Sequence, residues 1–134
     1  MNQQIEKSKQ SFSLRARGKS IGYALAGMII FIREEHNARI HFIATLLLVV
    51  VTLLVPINRM ESIALIVAAA LVWIAEIFNT AIERLADCYS TKRDDRIKQI
   101  KDLSAAAVLV SAIIALVTGL IIFIPKIHYV KYIF

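Results

Sequence analysis

Three long apolar runs dominate the chain, and polar segments separate them. The runs cover about residues 42–57, 63–83 and 103–125. An α-helix needs about 20 apolar residues to cross the hydrocarbon core of a bilayer. The third run has 23 residues without a charge, and Ile40 with its neighbours extends the shorter first run. The pattern therefore predicts three transmembrane helices.

A fourth apolar stretch, residues 21–32, follows a polar and basic segment at 1–20. It is too short to span a bilayer but long enough for an amphipathic helix at the membrane surface. We expect residues 1–41 to form a cytoplasmic or interfacial segment. The predicted fold is an all-α integral membrane protein with one domain, 1–134, made of three spans and an N-terminal surface helix.

Composition agrees with a membrane protein. Hydrophobic residues make up 58% of the chain and charged residues 19%, whereas soluble domains have about half and about a quarter. The net charge is +6, and the basic residues cluster between apolar runs. This placement indicates anionic lipid head groups rather than nucleic acid as the partner. The four glycines do not form a phosphate-binding loop, and the single cysteine excludes an intrachain disulfide.

The distribution of lysine and arginine predicts the orientation in the membrane. Residues 1–41 carry seven of them and residues 84–101 carry six. The 58–62 loop carries one and the C-terminal tail two. By the positive-inside rule, the N terminus and the 84–101 segment lie in the cytoplasm and the C terminus lies outside.

Polar residues that do not belong in a membrane helix mark the end of the second run. Glu76, Asn79, Glu83 and Asp87 fall within about 80° of one another on a helix. Glu76 lies roughly 12 Å deeper along the axis than Arg84. A carboxylate at that depth costs several kcal/mol unless it faces protein, water or a metal. A helix that leaves the membrane early, with a solvated acidic face, is the alternative, and it fits Asp87 better than Glu76.

Two further polar clusters lie on the same predicted cytoplasmic side. One contains Glu34, Glu35 and His41, and there Glu35 could form an ordinary i,i+4 salt bridge with Arg39. The other contains Lys101 and Asp102, where the lysine is a membrane anchor or a phosphate contact.

Together the three clusters offer carboxylates, an amide and a lysine. Magnesium takes one or two protein carboxylates beside phosphate oxygens. A deeper carboxylate could accept a proton from a lipid hydroxyl. These are the parts that phosphoryl transfer needs.

Three segments resemble a known family. EIFNTAIERLAD at 76–87 resembles the signature of the prokaryotic diacylglycerol kinase family, which includes undecaprenol kinases. IKDLSAAAVL at 100–109 and EHNARIH at 35–41 resemble two other blocks of that family. The resemblance extends from about Tyr23 to about Gly119.

The resemblance implies a small homotrimeric kinase of the bacterial cytoplasmic membrane, with active sites shared between neighbouring subunits and with ATP and Mg²⁺ as cosubstrate and cofactor. Glu76 would accept the proton of the lipid hydroxyl, and Asn79 would orient the site. Glu35 and Glu83 would hold Mg²⁺ and thereby contact ATP. Further nucleotide contacts would come from Tyr23, Lys101 and Asp102.

The resemblance leaves the lipid substrate open between undecaprenol and diacylglycerol. EHNARIH, which ends in His41, is closer to the branch that uses undecaprenol, because proteobacterial diacylglycerol kinases have an acid at this position. The loop after Asp87 is more charged than in either branch. Outside the resemblance, a non-catalytic membrane protein stays open, with Glu76 and Glu83 lining a cation path. A lipid phosphatase is disfavoured because no nucleophilic histidine or aspartate arrangement is visible.

Overall fold

In the computed structural model, residues 13–89 and 94–127 are described, and all regular structure within them is helical. The predicted all-α class is therefore confirmed. The elements are α1 (Leu14–Glu34), α2 (His36–Leu54), α3 (Arg59–Tyr89), α4 (Asp95–Phe123) and a short 3-10 helix (Ile124–Lys126). Helices α2, α3 and α4, the last continued by the 3-10 turn, are long and apolar enough to cross a membrane. Parts of the predicted N-terminal segment (1–12), of the charged loop (90–93) and of the C-terminal tail (128–134) lie outside the described residues.

The chain divides into two compact units after Ile30. The described part of the first unit, 13–30, is the body of α1. Ser13 caps this helix, because its Oγ accepts a hydrogen bond from the backbone N–H of Ala16 at 3.3 Å. The predicted interfacial stretch 21–32 lies within α1, and apolar side chains such as Ile21 and Leu25 are exposed.

In the second unit, α3 is the central helix. It packs most extensively against α4 and to a lesser extent against α2. Its buried face begins with Leu65, Ala68 and Val72, at the three- and four-residue spacing of a helix stripe. The same face continues with Glu76 and Asn79, which are also buried. The apolar packing seam of α3 therefore becomes polar toward the C-terminal end of the helix.

The connection between α2 and α3 is set by local chemistry. Val55 is extended (φ −113°, ψ 134°) because it precedes Pro56, which disfavours helical backbone at that position. Asn58 and Glu61 then form a capping box, in which each side chain accepts the other's backbone N–H, at 3.0 and 2.8 Å. Lys126 donates to the carbonyl of Pro56 at 2.9 Å and pairs with Glu61. The end of α4 is thereby held to this turn.

The start of α4 has its own cap. Asp94 accepts the backbone N–H of Arg96 at 2.8 Å, and the Arg96 guanidinium lies 3.3 Å from the second carboxylate oxygen. The hydrogen bonds from the Arg96 side chain and backbone hold the pKa of Asp94 below its usual value. The cap is therefore strongest with Asp94 ionised.

The outer surfaces of the long helices are apolar. Leu47, Leu53, Leu109, Leu116 and Ile121 are all more than half exposed. Soluble monomers rarely expose apolar patches larger than a few hundred Å². With 31 residues, α3 is about 46 Å long, well beyond the ~30 Å hydrocarbon core. These features indicate a membrane protein in which one end of α3 continues into the polar region.

Candidate active site

Glu76 is the deepest acid of the polar face on α3, and it is buried by protein. Only 3% of the residue is exposed. Its Oε1 lies 3.1 Å from Nε2 of His41 on α2. An ionised carboxylate can only accept, so with Glu76 ionised this hydrogen bond is donated by the Nε2–H of His41. The sequence left open whether Glu76 faces protein, water or a metal; in the structure, protein covers it.

The second oxygen of Glu76, Oε2, forms no hydrogen bond to any part of the chain that the structure describes. One oxygen of this carboxylate is thus held by His41, while the other has no hydrogen-bond partner among the described residues. That arrangement leaves an acceptor for a proton.

A hydrogen-bonded clamp fixes α2 against α3 beside this pair. Trp73 donates its indole N–H to Oγ1 of Thr45 at 2.9 Å, and Thr45 donates to the backbone carbonyl of His41 at 2.7 Å. The ring of Phe31 packs edge-on against Trp73, with centroids 6.1 Å apart. The backbone that carries His41 is therefore anchored to α3 one turn away from Glu76.

Asn79 links the polar face of α3 to the start of α4. Its Nδ2 donates to Oε1 of Glu83 at 3.1 Å, and its Oδ1 accepts from Oγ of Ser104 at 2.7 Å. The same Ser104 hydroxyl lies 2.9 Å from the backbone carbonyl of Lys101, so it shares one proton between two acceptors. Asn79 is buried, and both ends of its amide are occupied.

Arg84 joins the acidic cluster before α2 to the end of α3. Its Nη2 lies 2.9 Å from Oε2 of Glu34 and 2.7 Å from Oε1 of Glu35. The sequence suggested an i,i+4 pair between Glu35 and Arg39. Within the described residues, Glu35 instead pairs across 49 positions with Arg84, which directly follows the predicted metal ligand Glu83.

The remaining predicted nucleotide contacts on α4 are at the surface. Nζ of Lys101 lies 2.5 Å from Oδ1 of Asp87, which is largely exposed. Asp102 is exposed and lies 3.9 Å from Nζ of Lys98. The alternative of a solvated acidic face therefore applies to Asp87, while Glu76 is buried. Tyr23 is exposed in the first unit, and its nucleotide contact stays a prediction.

The donor set fits magnesium that arrives with a nucleotide. Within residues 13–89 and 94–127, no three or more His, Cys, Asp or Glu side chains form a cluster that could hold a metal. Nucleotide-bound magnesium needs only one or two protein carboxylates. Glu35 and Glu83 each use one oxygen in the contacts above, and the second oxygen of each is left for another ligand.

Sequence reasoning left His41 without a role and did not single out Arg84 or Ser104. All three lie inside the segments that carry the family resemblance, which was the available signal. Their partners were not readable, because each contact joins two helices far apart in sequence.

Most of the chain is similar in sequence to known proteins. Residues 22–123 match the family model described as "Prokaryotic diacylglycerol kinase". The chain is 32% identical over 108 residues to the undecaprenol kinase of Bacillus subtilis, covering 81% of this chain and 88% of that protein. It is also 32% identical over 104 residues to the diacylglycerol kinase of Escherichia coli K12, covering 78% and 85% of the two chains. For the diacylglycerol kinase of Pseudomonas aeruginosa, the identity is 33% over 97 residues, covering 72% and 79%.

Proposed function

The chain belongs to the prokaryotic diacylglycerol kinase family and is a membrane lipid kinase, and we propose that it transfers the γ-phosphoryl group of ATP to the hydroxyl of a lipid alcohol. Family membership confirms the prediction of an enzyme over the non-catalytic alternative. The donor, the metal, the acceptor and the residue roles that follow belong to the proposal.

The observation that carries the proposal is the state of Glu76. It is a buried carboxylate with one oxygen held by His41 and the other without a hydrogen-bond partner among the described residues. Glu83 lies seven residues further along the same helix, about 10 Å away by the helical rise. It is half-buried, at the more exposed end of the polar face. A deep base and a shallower metal ligand on one face suit a hydroxyl from the membrane and a nucleotide from the cytoplasm.

The reaction assigns each chain residue one task. The lipid hydroxyl oxygen attacks the γ-phosphorus, the bond to the β–γ bridging oxygen breaks, and ADP leaves. Oε2 of Glu76 accepts the hydroxyl proton as the new oxygen–phosphorus bond forms. Asn79 holds Glu83 from one side and is itself held by Ser104, so it keeps the two ends of the polar face aligned.

Glu35 and Glu83 would hold Mg²⁺, and nucleotide contacts would come from Tyr23, Lys101 and Asp102. When bound, the metal neutralises phosphate charge and orients the transferred group. Glu35 would then share its charge between the metal and Arg84, to which it is already paired. Lys101 would turn from Asp87 toward phosphate, which costs little because Asp87 is largely exposed.

We propose undecaprenol as the acceptor, with diacylglycerol as the alternative. Identity does not decide between them, because it is 32% to the undecaprenol kinase and 32% and 33% to the two diacylglycerol kinases compared above. The segment EHNARIH, ending in His41, resembles the undecaprenol branch. The product would be undecaprenyl phosphate, and with the alternative acceptor it would be phosphatidate.

The proposed setting is a homotrimer in the bacterial cytoplasmic membrane, with α1 on the membrane surface and active sites shared between subunits. The exposed apolar faces of α2 and α4 support contacts with lipid and with further helices. The lysine and arginine distribution supports a cytoplasmic N terminus and an outer C terminus.

The test is a phosphate-transfer assay with the purified full chain and γ-labelled ATP. Undecaprenol and diacylglycerol are offered in parallel, with and without Mg²⁺. We expect a labelled lipid, faster with undecaprenol, that depends on Mg²⁺. Glu76→Gln should lower kcat by about 10²–10⁴-fold while retaining binding of an ATP analogue. Transfer at the wild-type rate by Glu76→Gln would contradict the role of Glu76, and transfer to neither lipid would contradict the proposed acceptors.

A further inference from the structure

We propose that His41 is a positioning residue for phosphoryl transfer, which orients the carboxylate of Glu76 so that Oε2 faces the acceptor hydroxyl. The inference rests on the proposed role of Glu76 as proton acceptor. It adds a residue to which neither the sequence nor the comparisons give a task.

The orientation of a buried carboxylate has to be fixed by a contact with another residue. The terminal torsion of a glutamate is broad and roughly two-fold, so the side chain alone does not fix the carboxylate plane. Within the described residues, the hydrogen bond from His41 is the one polar contact of Glu76. It fixes Oε1, and by geometry it fixes the direction of Oε2 as well.

His41 is itself held in place. Its backbone carbonyl accepts from Thr45, which accepts in turn from Trp73 on α3, the helix that carries Glu76. Trp73 and Glu76 are three residues apart, so they lie on neighbouring positions of one helix face. The histidine and the carboxylate are thus joined twice, once through the side chains and once through this backbone clamp.

The pair is open on the histidine side. The side chain of His41 is 24% exposed, whereas that of Glu76 is 4% exposed. His41, Thr45 and Trp73 also line a cavity of about 240 Å³ between the helices. A residue that served only to fill the core would not be expected to border free space and at the same time hold a buried acid.

His41 contacts Glu76 through Nε2, so variants that do and do not place a nitrogen at that position can be compared. The side-chain nitrogen of glutamine can occupy the place of Nε2, whereas that of asparagine corresponds to Nδ1 and falls short. His41→Gln should therefore retain most of kcat. His41→Asn and His41→Leu should lower kcat about tenfold to a hundredfold, since small misplacements of reacting groups cost up to about that much. The KM for ATP should stay unchanged in all three.

A double-mutant cycle separates positioning from a structural role. If His41 acts through Glu76, then His41→Leu should lower kcat in the wild-type background and have no further effect on the residual rate of Glu76→Gln. The rates are measured by labelled-phosphate transfer with the full chain, beside thermal unfolding of each variant in the same detergent. Equal losses from His41→Leu in both backgrounds would overturn the inference.

Two other outcomes would also overturn it: wild-type kcat in both His41→Leu and His41→Asn, or a His41→Gln variant as slow as His41→Leu. These results are distinguishable from failure of the proposed function. Wild-type activity of Glu76→Gln would show that Glu76 is not the proton acceptor, which contradicts the proposed mechanism. An inactive Glu76→Gln variant together with a fully active His41→Leu variant would contradict only the positioning role of His41 and leave the role of Glu76 intact.

Discussion

Ser104 at the start of α4 donates to the buried side-chain oxygen of Asn79 on α3, at 2.7 Å. Through this contact, the segment that carries Lys101 and Asp102 is tied to the helix that carries Glu76 and Glu83. The predicted nucleotide and metal residues are therefore not independent surface groups. They are connected through one buried amide, so disturbance of that amide should affect both.

Ser104→Ala tests this connection. The change leaves Oδ1 of Asn79 buried without its side-chain donor, which costs about 1–3 kcal/mol. We expect a lower unfolding midpoint and a lower kcat, because Asn79 no longer holds Glu83 in one position. Ser111→Ala is the matched control, since Ser111 is equally buried but, among the described residues, its hydroxyl bonds only the carbonyl of Val108 in its own helix. Equal effects of the two changes on kcat would show that the bond to Asn79 has no special role.

Glu83→Gln tests the metal assignment. Glutamine keeps the size of the side chain and an oxygen for Asn79, but it removes the negative charge. The Mg²⁺ concentration for half-maximal activity should rise at least tenfold, together with weaker binding of Mg-ATP. Glu34→Gln is the control, because Glu34 pairs with the same Arg84 but is not a predicted ligand. An unchanged magnesium titration in Glu83→Gln would remove Glu83 from the metal site.

Lys101→Ala tests the nucleotide contact. Loss of a cation beside the phosphates should raise the KM for ATP about tenfold, with a smaller effect on the KM for the lipid. Asp87→Asn should lower the KM for ATP or leave it unchanged, because it releases Lys101 from its surface ion pair. Lys98→Ala serves as the control for general loss of positive charge. A KM for ATP raised as much by Lys98→Ala as by Lys101→Ala would make the effect non-specific.

The stability that the N-terminal cap of α4 contributes should depend on pH through the ionisation of Asp94. Its pKa is lowered below the ordinary value of 3.8 by the hydrogen bonds from Arg96. The stabilisation from its charge is therefore fully present above that ordinary value and is lost as the pH falls through the lower folded pKa. Asparagine also caps helices but does not titrate. The stability difference between wild type and Asp94→Asn, followed by thermal unfolding, should shrink as the pH is lowered through this range and stay constant near neutral pH.

Topology is tested by cysteine labelling in intact cells. In a Cys88→Ser background, a cysteine in place of Arg96, which is highly exposed, should be protected from a membrane-impermeant reagent. A cysteine in place of Met60, at the other end of α3, should be labelled readily. Labelling of position 96 from outside would reverse the orientation and separate the site from cytoplasmic ATP.

Much of the fold was readable because its signals are local. Three apolar runs predicted three helices that the structure contains, and the 3.6-residue period placed Glu76, Asn79, Glu83 and Asp87 on one face. Helix ends were less readable. The polar residues after Glu83 stay helical as far as Tyr89, and the first run stops being helical before Pro56. The capping box of Asn58 with Glu61 is visible in the sequence, but Thr80 and Glu83 have the same spacing inside α3, where no helix begins.

The sequence by itself determined the helices, the placement of four polar residues on one face of α3, and the family. Each of these depends on local solvent preference, helical spacing or contiguous motifs. The tertiary structure decided which side chains meet. His41 with Glu76, Ser104 with Asn79, and Arg84 with Glu35 are pairs separated by 25 to 49 positions. Each pair depends on the rotation and axial offset of two packed helices. Those quantities result from the sum of many weak packing contacts along α2, α3 and α4, and no short segment of the chain encodes them.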